Sequence, residues 1–310
     1  MSETSDQPFA EWIGREMRSS DRLDEALANR WLATFDMRAS VPGVPVPTGI
    51  PGWWEDTPPS LVSASGLMPQ GIHFALCSPD VQTNALGEDG HPARDESADS
   101  FLPPFPMPRR MWASSKIEFR APLTVGAVIE RTSRVASIAE KEGGSGKLAF
   151  VNVTHETRAN GTLSVLETQT LVYRDAAAPD APLSPPALGT DTFNPADWDT
   201  HRAITPDPRL LFRYSALTFN THRIHYDAPY AEAVERYRGL VVHGPLTASL
   251  LLQLAARELG ENKLKTFEFR GMSPAIAGEP LHLVMRKSDT GYEIGAFADD
   301  GRQVTKAKAT

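Results

Sequence analysis

The chain has 310 residues, of which 31 are basic and 39 acidic, giving a formal charge of −8. This length favours two domains of about 150 residues, or one duplicated unit. The acidic balance without a Lys/Arg block argues against a nucleic-acid-binding surface. Cys77 is the single cysteine, which excludes an internal disulfide framework and a multi-cysteine metal site.

The N-terminal text lacks the basic start and apolar run of a secretory signal, and no apolar stretch is long enough to cross a bilayer. The sequence therefore predicts a cytoplasmic protein that does not bind membranes.

The first predicted element is a helix over residues 20–35, capped by Ser20 or Asp21. Apolar side chains recur at every fourth position of this stretch, the spacing of one helix face: Leu23, Leu27, Trp31 and Phe35. Proline and glycine are dense in 41–59, and 83–108 is polar, acidic and then proline-rich. These two stretches predict irregular structure, the second as a mobile loop.

Between residues 116 and 174 the hydrophobic period changes to two, which indicates a long antiparallel meander. Asn160-Gly161 is a typical hairpin turn between two of its strands. Residues 176–208 are rich in proline, alanine and aspartate, and we interpret them as a linker between two halves.

Helices are predicted at 229–237 and 245–259, the second ending at Gly260 as helix C-termini favour. Strand-like text follows at 265–309, interrupted by two Asp/Gly turns. Helical text thus precedes sheet text in each half, a pattern that favours an α+β fold over a doubly wound α/β fold.

An internal repeat connects the two halves. "IEFRAPLTVGAVIERTSRV" begins at Ile117 and "FEFRGMSPAIAGEPLHLVMRK" at Phe267, at an offset of 150 residues with a two-residue insertion. Both read E-F-R, a proline, a glycine and then a strand. We infer duplication of one αβ unit, and we expect the two sheets to pair within the chain.

The stretch "NTHRIHYDAPYAEAVERYRGLVVHGPL" contains His222, His225 and His243. Three histidines can bind zinc, but there is neither an H-E-x-x-H motif nor a cysteine pair, so we predict no metal. Nucleophilic catalysis is disfavoured because Ser249 lies within a helix and Cys77 has no local base.

An acid–base site fits this stretch better. Asn220 and His225 are five residues apart, and Asp227 follows closely. Gly244 and Pro245 begin a long apolar helix, whose exposed N–H groups and dipole can stabilise negative charge on an oxygen. A base and such a helix start are what enolate chemistry requires, although a purely structural histidine loop is the alternative.

"NTHRIHYD" (220–227) and "VVHGPL" (241–246) resemble the D-x-N-P-L-H-x-D and V-H-G-x-L motifs of the MaoC-like enoyl-CoA hydratases and dehydratases. The wider text resembles their double-hot-dog subgroup, which includes mesaconyl-CoA, methylfumaryl-CoA and itaconyl-CoA hydratases and hydroxyacyl-thioester dehydratases. The resemblance implies a degenerate first hot dog over 1–175, the linker, and a catalytic hot dog over 209–310. It implies an acyl-CoA substrate and no cofactor, and it allows a homodimer as well as a monomer.

The resemblance also implies site residues. His225 is expected to act as acid and base, with the Gly244 N–H as oxyanion donor and His243 among the substrate-binding residues. The family's acidic residue falls on Asn220, whose amide cannot transfer protons, so we expect it to orient water. Asp227, also assigned to substrate binding, is expected to be able to hold the imidazole tautomer.

A CoA ester brings phosphates, for which Arg109 and Arg110 are candidates, and Arg223 is expected to bind a free carboxylate of the acyl group. The first half has no matching histidine motif; His73 and His91, like His155, are interpreted as surface or structural residues. A hot-dog thioesterase and a non-catalytic acyl-CoA-binding module remain open alternatives.

Overall fold

A computed structural model describes residues 9–36, 66–143 and 146–310, so the predicted irregular stretch at 41–59 lies outside the described residues. The strands in those residues, in chain order, are β1 (Glu16–Arg22), β2 (Arg109–Phe119), β3 (Val128–Gly143), β4 (Gly146–Ala159), β5 (Thr162–Arg174), β6 (Thr200–Ile204), β7 (Thr266–Gly271), β8 (Leu281–Ser288), β9 (Gly291–Ala298) and β10 (Gln303–Ala309). The α-helices there are α1 (Glu25–Thr34), α2 (Pro208–Thr218), α3 (Ala228–Ala233) and α4 (Gly244–Leu259).

All of these strands belong to one antiparallel sheet with the order β1-β3-β4-β5-β2-β7-β10-β9-β8-β6. If the strands of each half are numbered from one to five in chain order, both halves have the order 1-3-4-5-2 from the outer edge of the sheet to its centre. The two halves meet where β2 pairs with β7. The α+β prediction is confirmed, as is the expectation that two units pair their sheets inside one chain.

The repeated E-F-R segments lie at the junction of the halves. Ile117 is the register partner of Phe267, and Glu118 pairs with Thr266. The first residue of each repeat therefore pairs with its own counterpart, as expected when two copies of one unit meet about a local twofold axis. Both Ile117 and Phe267 are fully buried.

The predicted helix at 245–259 is confirmed as α4, which packs against β8, β9 and β10. Its residues from Leu246 to Ala255 are all buried, as expected of a helix that is apolar on most of its faces. Buried side chains from both halves form a continuous core around it, including Trp31 of α1 and Tyr214 of α2, whose rings lie 6.4 Å apart.

The predicted first helix begins later than expected. Residues 16–22 pair with β3, and Asp24, rather than Ser20 or Asp21, caps α1 by accepting a hydrogen bond from Leu27 N at 2.6 Å. Sheet pairing removed the first turn of the predicted helix. The second helical prediction, at 229–237, is too long, since α3 spans Ala228–Ala233. We did not predict α2, which Asp207 caps in the same way as Asp24 caps α1.

The predicted linker contains structure that belongs to the second half. β6 lies inside 176–208 and pairs with β8 at the sheet edge. The predicted domain boundaries stay a prediction. The Asn160-Gly161 turn is confirmed, since both residues adopt positive φ angles of 49° and 80° between β4 and β5. The expected mobility of 83–108 stays a prediction.

Candidate active site

The histidine-rich stretch crosses from the end of α2 to the start of α4. A 3₁₀ turn spans Arg223–His225, and α3 follows it directly. Val241 N donates to Ile224 O at 2.9 Å, which ties the turn to the residues just before α4. The fold thus brings His225 beside the N-terminus of α4, although the two are far apart in the sequence.

His225 is buried, with 7% of its surface exposed, and its tautomer is fixed. Its Nδ1 lies 2.7 Å from Val241 O, and because a carbonyl only accepts, Nδ1 carries the proton and Nε2 keeps a lone pair. Burial, together with the neighbouring His222, lowers the pKa of His225 to about 3. The imidazole is therefore neutral at physiological pH, the form required of a general base.

The ring of His243 packs against the ring of His225. The two rings stack at a centroid distance of 3.5 Å, and the Nε2 of His243 lies 2.9 Å from the Ser215 hydroxyl on α2. Burial lowers the pKa of His243 well below its usual value, so the stacked pair stays uncharged. His243 thus fixes the position of the catalytic candidate as well as lining the same cleft.

Gly244 is the first residue of α4, and Pro245 follows it, as helix starts favour. The first hydrogen bond of the helix joins Thr247 N to His243 O at 3.0 Å. The Gly244 N–H precedes this bond, lies outside the helix ladder, and adds to the positive end of the dipole. A Cβ at Gly244 would lie 3.9 Å from Trp112 O of β2, so the first half of the chain closes over this helix start.

These groups share one large cleft of about 1160 Å³ between the two halves. The predicted site residues that line it are Asn220, His225, His243, Gly244, Arg109 and Arg110. Arg223 and Asp227 are not among its lining residues. The structure therefore brings six of the eight predicted residues to one cleft.

Asp227 caps α3 and pairs with Arg223. One carboxylate oxygen accepts from Tyr230 N at 3.1 Å, and the other accepts from Arg223 at 2.8 and 3.0 Å. The expectation that Asp227 can hold the imidazole tautomer is wrong, because Val241 O occupies that position. The expectation that Arg223 binds a substrate carboxylate stays a prediction; in this structure its guanidinium pairs with Asp227 and stacks 3.9 Å from the Tyr230 ring.

The two predicted phosphate-binding arginines differ. Arg109 is buried and its Nε lies 2.5 Å from Glu235 Oε2, so its charge is already neutralised within the protein. Arg110 lines the cleft beside Tyr173. Burial raises the pKa of Tyr173, and Arg110 partly opposes this rise. Arg110 is the better candidate for an anionic part of a ligand.

Asn220, which the resemblance places where the family has an acid, lines the cleft. Its Oδ1 accepts from His222 N at 3.0 Å, which commits the acceptor end of the amide to shaping the loop. The amide NH₂ remains the group that can hold a water molecule.

Sequence reasoning missed two residues near this loop, Asp89 and His91. The His91 Nδ1 lies 2.9 Å from Asp89 Oδ2, and the His91 ring packs 4.0 Å from the ring of His222. Asp89, His91 and His222 are the group of described residues whose ligand atoms are close enough to share a metal ion, whereas the three loop histidines considered from the sequence do not form such a group. The sequence did not indicate this cluster because Asp89 and His91 are far from His222 along the chain.

The fold is that of a double-hot-dog protein, with the cleft between its two halves. A Mycobacterium tuberculosis protein with a double hotdog fold is similar, with a TM-score of 0.53 and 14% identity over 96% of this chain and 95% of that one. The family model of hydroxyacyl-thioester dehydratase type 2 matches residues 71–277. The chain belongs to this family, which confirms the resemblance that the sequence indicated.

Curated relatives are similar over most of the chain. A mesaconyl-C(4)-CoA hydratase of Chloroflexus aurantiacus is 37% identical over 96% of this chain and 95% of its own length. The mitochondrial hydroxyacyl-thioester dehydratase type 2 of Schizosaccharomyces pombe is 30% identical over 71% of this chain and 76% of its own length. These names confirm the predicted enzyme class of hydratase and dehydratase. No helix in the described ranges is both long and apolar enough to cross a bilayer.

Proposed function

We propose that this protein reversibly hydrates a short-chain 2-enoyl-CoA whose acyl group is a branched dicarboxylic acid, giving the 3-hydroxyacyl-CoA. The observation that carries this proposal is the neutral His225, with Nε2 available, in the same cleft as the Gly244 N–H at the start of α4. The 37% identity to a mesaconyl-C(4)-CoA hydratase supports the choice of acyl group. We place the reaction in the cytoplasm, and a homodimer remains a prediction.

In the proposed hydration the thioester oxygen accepts a hydrogen bond from the Gly244 N–H. His225 Nε2 removes a proton from a water molecule held by the Asn220 amide, and the water oxygen bonds to the β-carbon. The π electrons move towards the thioester, whose oxygen carries the developing negative charge. His225 then returns the proton to the α-carbon, so water is added and no other reactant is consumed.

Two other functions would use the same cleft differently. A thioesterase would need an acidic residue on the central helix near the thioester, but α4 has none until Glu258, close to its end. A binding module would need no base, whereas the structure buries His225 with its tautomer fixed. Both features favour the hydratase.

Incubation with mesaconyl-C(4)-CoA separates the three functions. A hydratase removes the enoyl absorbance without releasing thiol, a thioesterase releases thiol, and a binding module does neither. In a hydratase, His225→Gln should lower kcat by about 10²- to 10⁴-fold, the usual contribution of general acid–base catalysis. His282→Gln is the matched control, because His282 pairs with Asp299 and does not line the cleft. Near-normal turnover of His225→Gln on every enoyl-CoA tested would refute the assignment.

A further inference from the structure

A cluster of polar side chains lines the cleft on the side of the N-terminal half. Three of its members lie side by side on neighbouring strands, since Ser133 of β3 pairs in register with His155 of β4, which pairs with Glu167 of β5. Arg131 is two residues before Ser133 and thus faces the same side of the sheet. His73, from the 3₁₀ turn at Ile72–Ala75, completes the cluster.

The cluster is adjacent to the proposed reaction centre. Trp112 connects the two, because its carbonyl oxygen faces Gly244 and its indole Nε1 donates to Ser115 Oγ at 2.9 Å. Ser115 Oγ in turn donates to Glu167 Oε1 at 2.5 Å. An acyl group bound by its thioester oxygen at Gly244 can therefore extend past Trp112 towards this cluster.

Arg131 carries the positive charge of the cluster. Burial lowers the pKa of His73 to about 3 and that of His155 to about 4, so both imidazoles are neutral at physiological pH. Burial raises the pKa of Glu167, which favours its uncharged form. Arg131 opposes this rise, but no carboxylate among the described residues forms a salt bridge with its guanidinium.

Hydrogen-bonding capacity in the cluster is unused. Arg131 donates through Nε to Thr157 Oγ1 at 3.1 Å and through Nη2 to His73 O at 2.8 Å, and no acceptor among the described residues contacts its Nη1. The buried His73 ring has no hydrogen-bond partner in the same part of the chain, and its Nε2 lies 3.8 Å from Glu167 Oε2. Buried polar groups normally have partners, so these atoms indicate a ligand.

We propose that Arg131 and His73 bind a carboxylate carried by the acyl group of the substrate, an inference that rests on the proposed hydratase function. A carboxylate matches both the guanidinium and an imidazole N–H donor. A hydrocarbon chain at this place would remove these polar groups from water without compensation. The acyl-CoA substrates should therefore be those with a free carboxylate, with Arg131 in the role that the sequence assigned to Arg223.

Matched substrates test this proposal. Mesaconyl-C(4)-CoA and 3-methylcrotonyl-CoA differ by replacement of the carboxylate with a methyl group, as do glutaconyl-CoA and 2-pentenoyl-CoA. Wild-type enzyme should prefer the carboxylate in at least one pair, measured as kcat/KM. Arg131→Gln should lower kcat/KM for that carboxylate substrate by about 10- to 100-fold, the range for loss of a charge-assisted hydrogen bond, while the methyl partner changes little.

Arg131→Lys should retain part of the preference, and Arg134→Gln is the matched control, since Arg134 is on the same strand but pairs with Glu16 on the surface. A variant that lost its fold would lose both substrates of a pair equally. Wild-type hydration of all substrates with an unchanged preference in Arg131→Gln would overturn this inference alone. Absence of hydration by the wild-type enzyme would instead overturn the proposed function.

A second, independent observation concerns Asp89 and His91. Their loop is fixed to the histidine-rich stretch: Thr221 Oγ1 donates to Gly90 O at 2.5 Å, and Arg223 N donates to Asp89 O at 2.9 Å. This attachment places His91, which lines the cleft, against His222. The carboxylate of Asp89 also accepts from the main-chain N of His91 at 3.0 Å, so the pair is held at two points.

We infer that His91 is a second acid–base group of the active site, which replaces the proton-transferring carboxylate absent at Asn220. Asp89 holds the Nδ1 side of the ring, which leaves Nε2 for the substrate. In this version of the proposed hydration His225 still removes the proton of water, but His91, in place of His225, delivers a proton to the α-carbon, and a water molecule carries the proton from His225 back to His91. A shared metal is less favoured, because the ring planes of His91 and His222 are inclined by only 36° at 4.0 Å, so their in-plane lone pairs do not converge.

His91→Gln should lower kcat by about 10²-fold or more with little change in KM, equally for carboxylate and methyl substrates. Asp89→Asn should lower kcat less and also leave KM unchanged, while the His282→Gln control keeps both. Dialysis against EDTA and addition of Zn²⁺ should leave kcat unaltered. A kcat of His91→Gln within twofold of wild type, or a kcat that depends on the metal, would overturn the inference.

Discussion

Replacing Gly90 with alanine should separate the attached loop from the active site. Gly90 has a φ angle of +85°, and a Cβ there would lie 1.9 Å from Thr221 O, a main-chain atom that cannot move alone. Left-handed backbone costs an alanine about 1 kcal/mol. The clash adds the loss of the loop's hydrogen bonds to Thr221 and Arg223, each worth about 0.5–1.5 kcal/mol.

The Gly90→Ala variant should therefore lose about 2–4 kcal/mol of unfolding free energy in urea denaturation. Gly161→Ala is the matched control, because Gly161 has a similar φ of +80° but no atom within 4 Å of an added Cβ. It should lose only about 1 kcal/mol, the backbone cost that both variants share. The difference between the two variants isolates the contact between the halves.

Turnover provides a second measurement of the same change. Displacement of the loop moves His91 away from His222, so kcat of Gly90→Ala should fall while that of Gly161→Ala stays near wild type. If Gly90→Ala destabilised the protein no more than Gly161→Ala did, the attachment of this loop would not have the energetic role that its contacts indicate.

Two further predictions concern stability. Glu235→Gln leaves the buried Arg109 without its counter-ion, so the free energy of unfolding in urea should fall by about 3–5 kcal/mol. Glu268→Gln removes the exposed partner of Lys308 and should lower the free energy of unfolding by less than about 1 kcal/mol. Equal losses in the two variants would contradict the argument. Because burial lowers the pKa values of His73 and His225 to about 3, the folded protein binds fewer protons than the unfolded chain below pH 6.5. Stability should be full above pH 6.5 and decrease towards pH 5, whereas a urea midpoint unchanged from pH 7 to 5 would exclude this linkage.

The sequence was informative where local pattern and final structure agree. Alternation of side chains predicted the meander, Asn160-Gly161 predicted its turn, and the E-F-R repeat predicted two units whose sheets pair inside one chain. Gly244 was recognisable because a glycine and a proline directly before an apolar run are typical of a helix N-terminus. In each case the signal lies within a few neighbouring residues.

The errors arose where tertiary contacts decide the outcome. Sheet pairing, rather than helical periodicity, determined the start of the first helix, and β6 was hidden in text that resembles a linker. Arg223 and Asp227 are adjacent to His225 in sequence, yet they pair with one another away from the cleft. Arg131 and His91 come from the other half of the chain, and no local pattern could have placed them beside the cleft.

The direct pairing of β2 with β7 has a consequence for how this enzyme can change. In a homodimer of chains that each contain one repeat, every substitution would occur in both copies. Joined in one polypeptide, the two copies are free to differ, so Arg131 and the 87–91 loop need no equivalent in the catalytic half. New selectivity can thus be acquired by substitutions in one copy while the histidine and helix start of the other are left untouched.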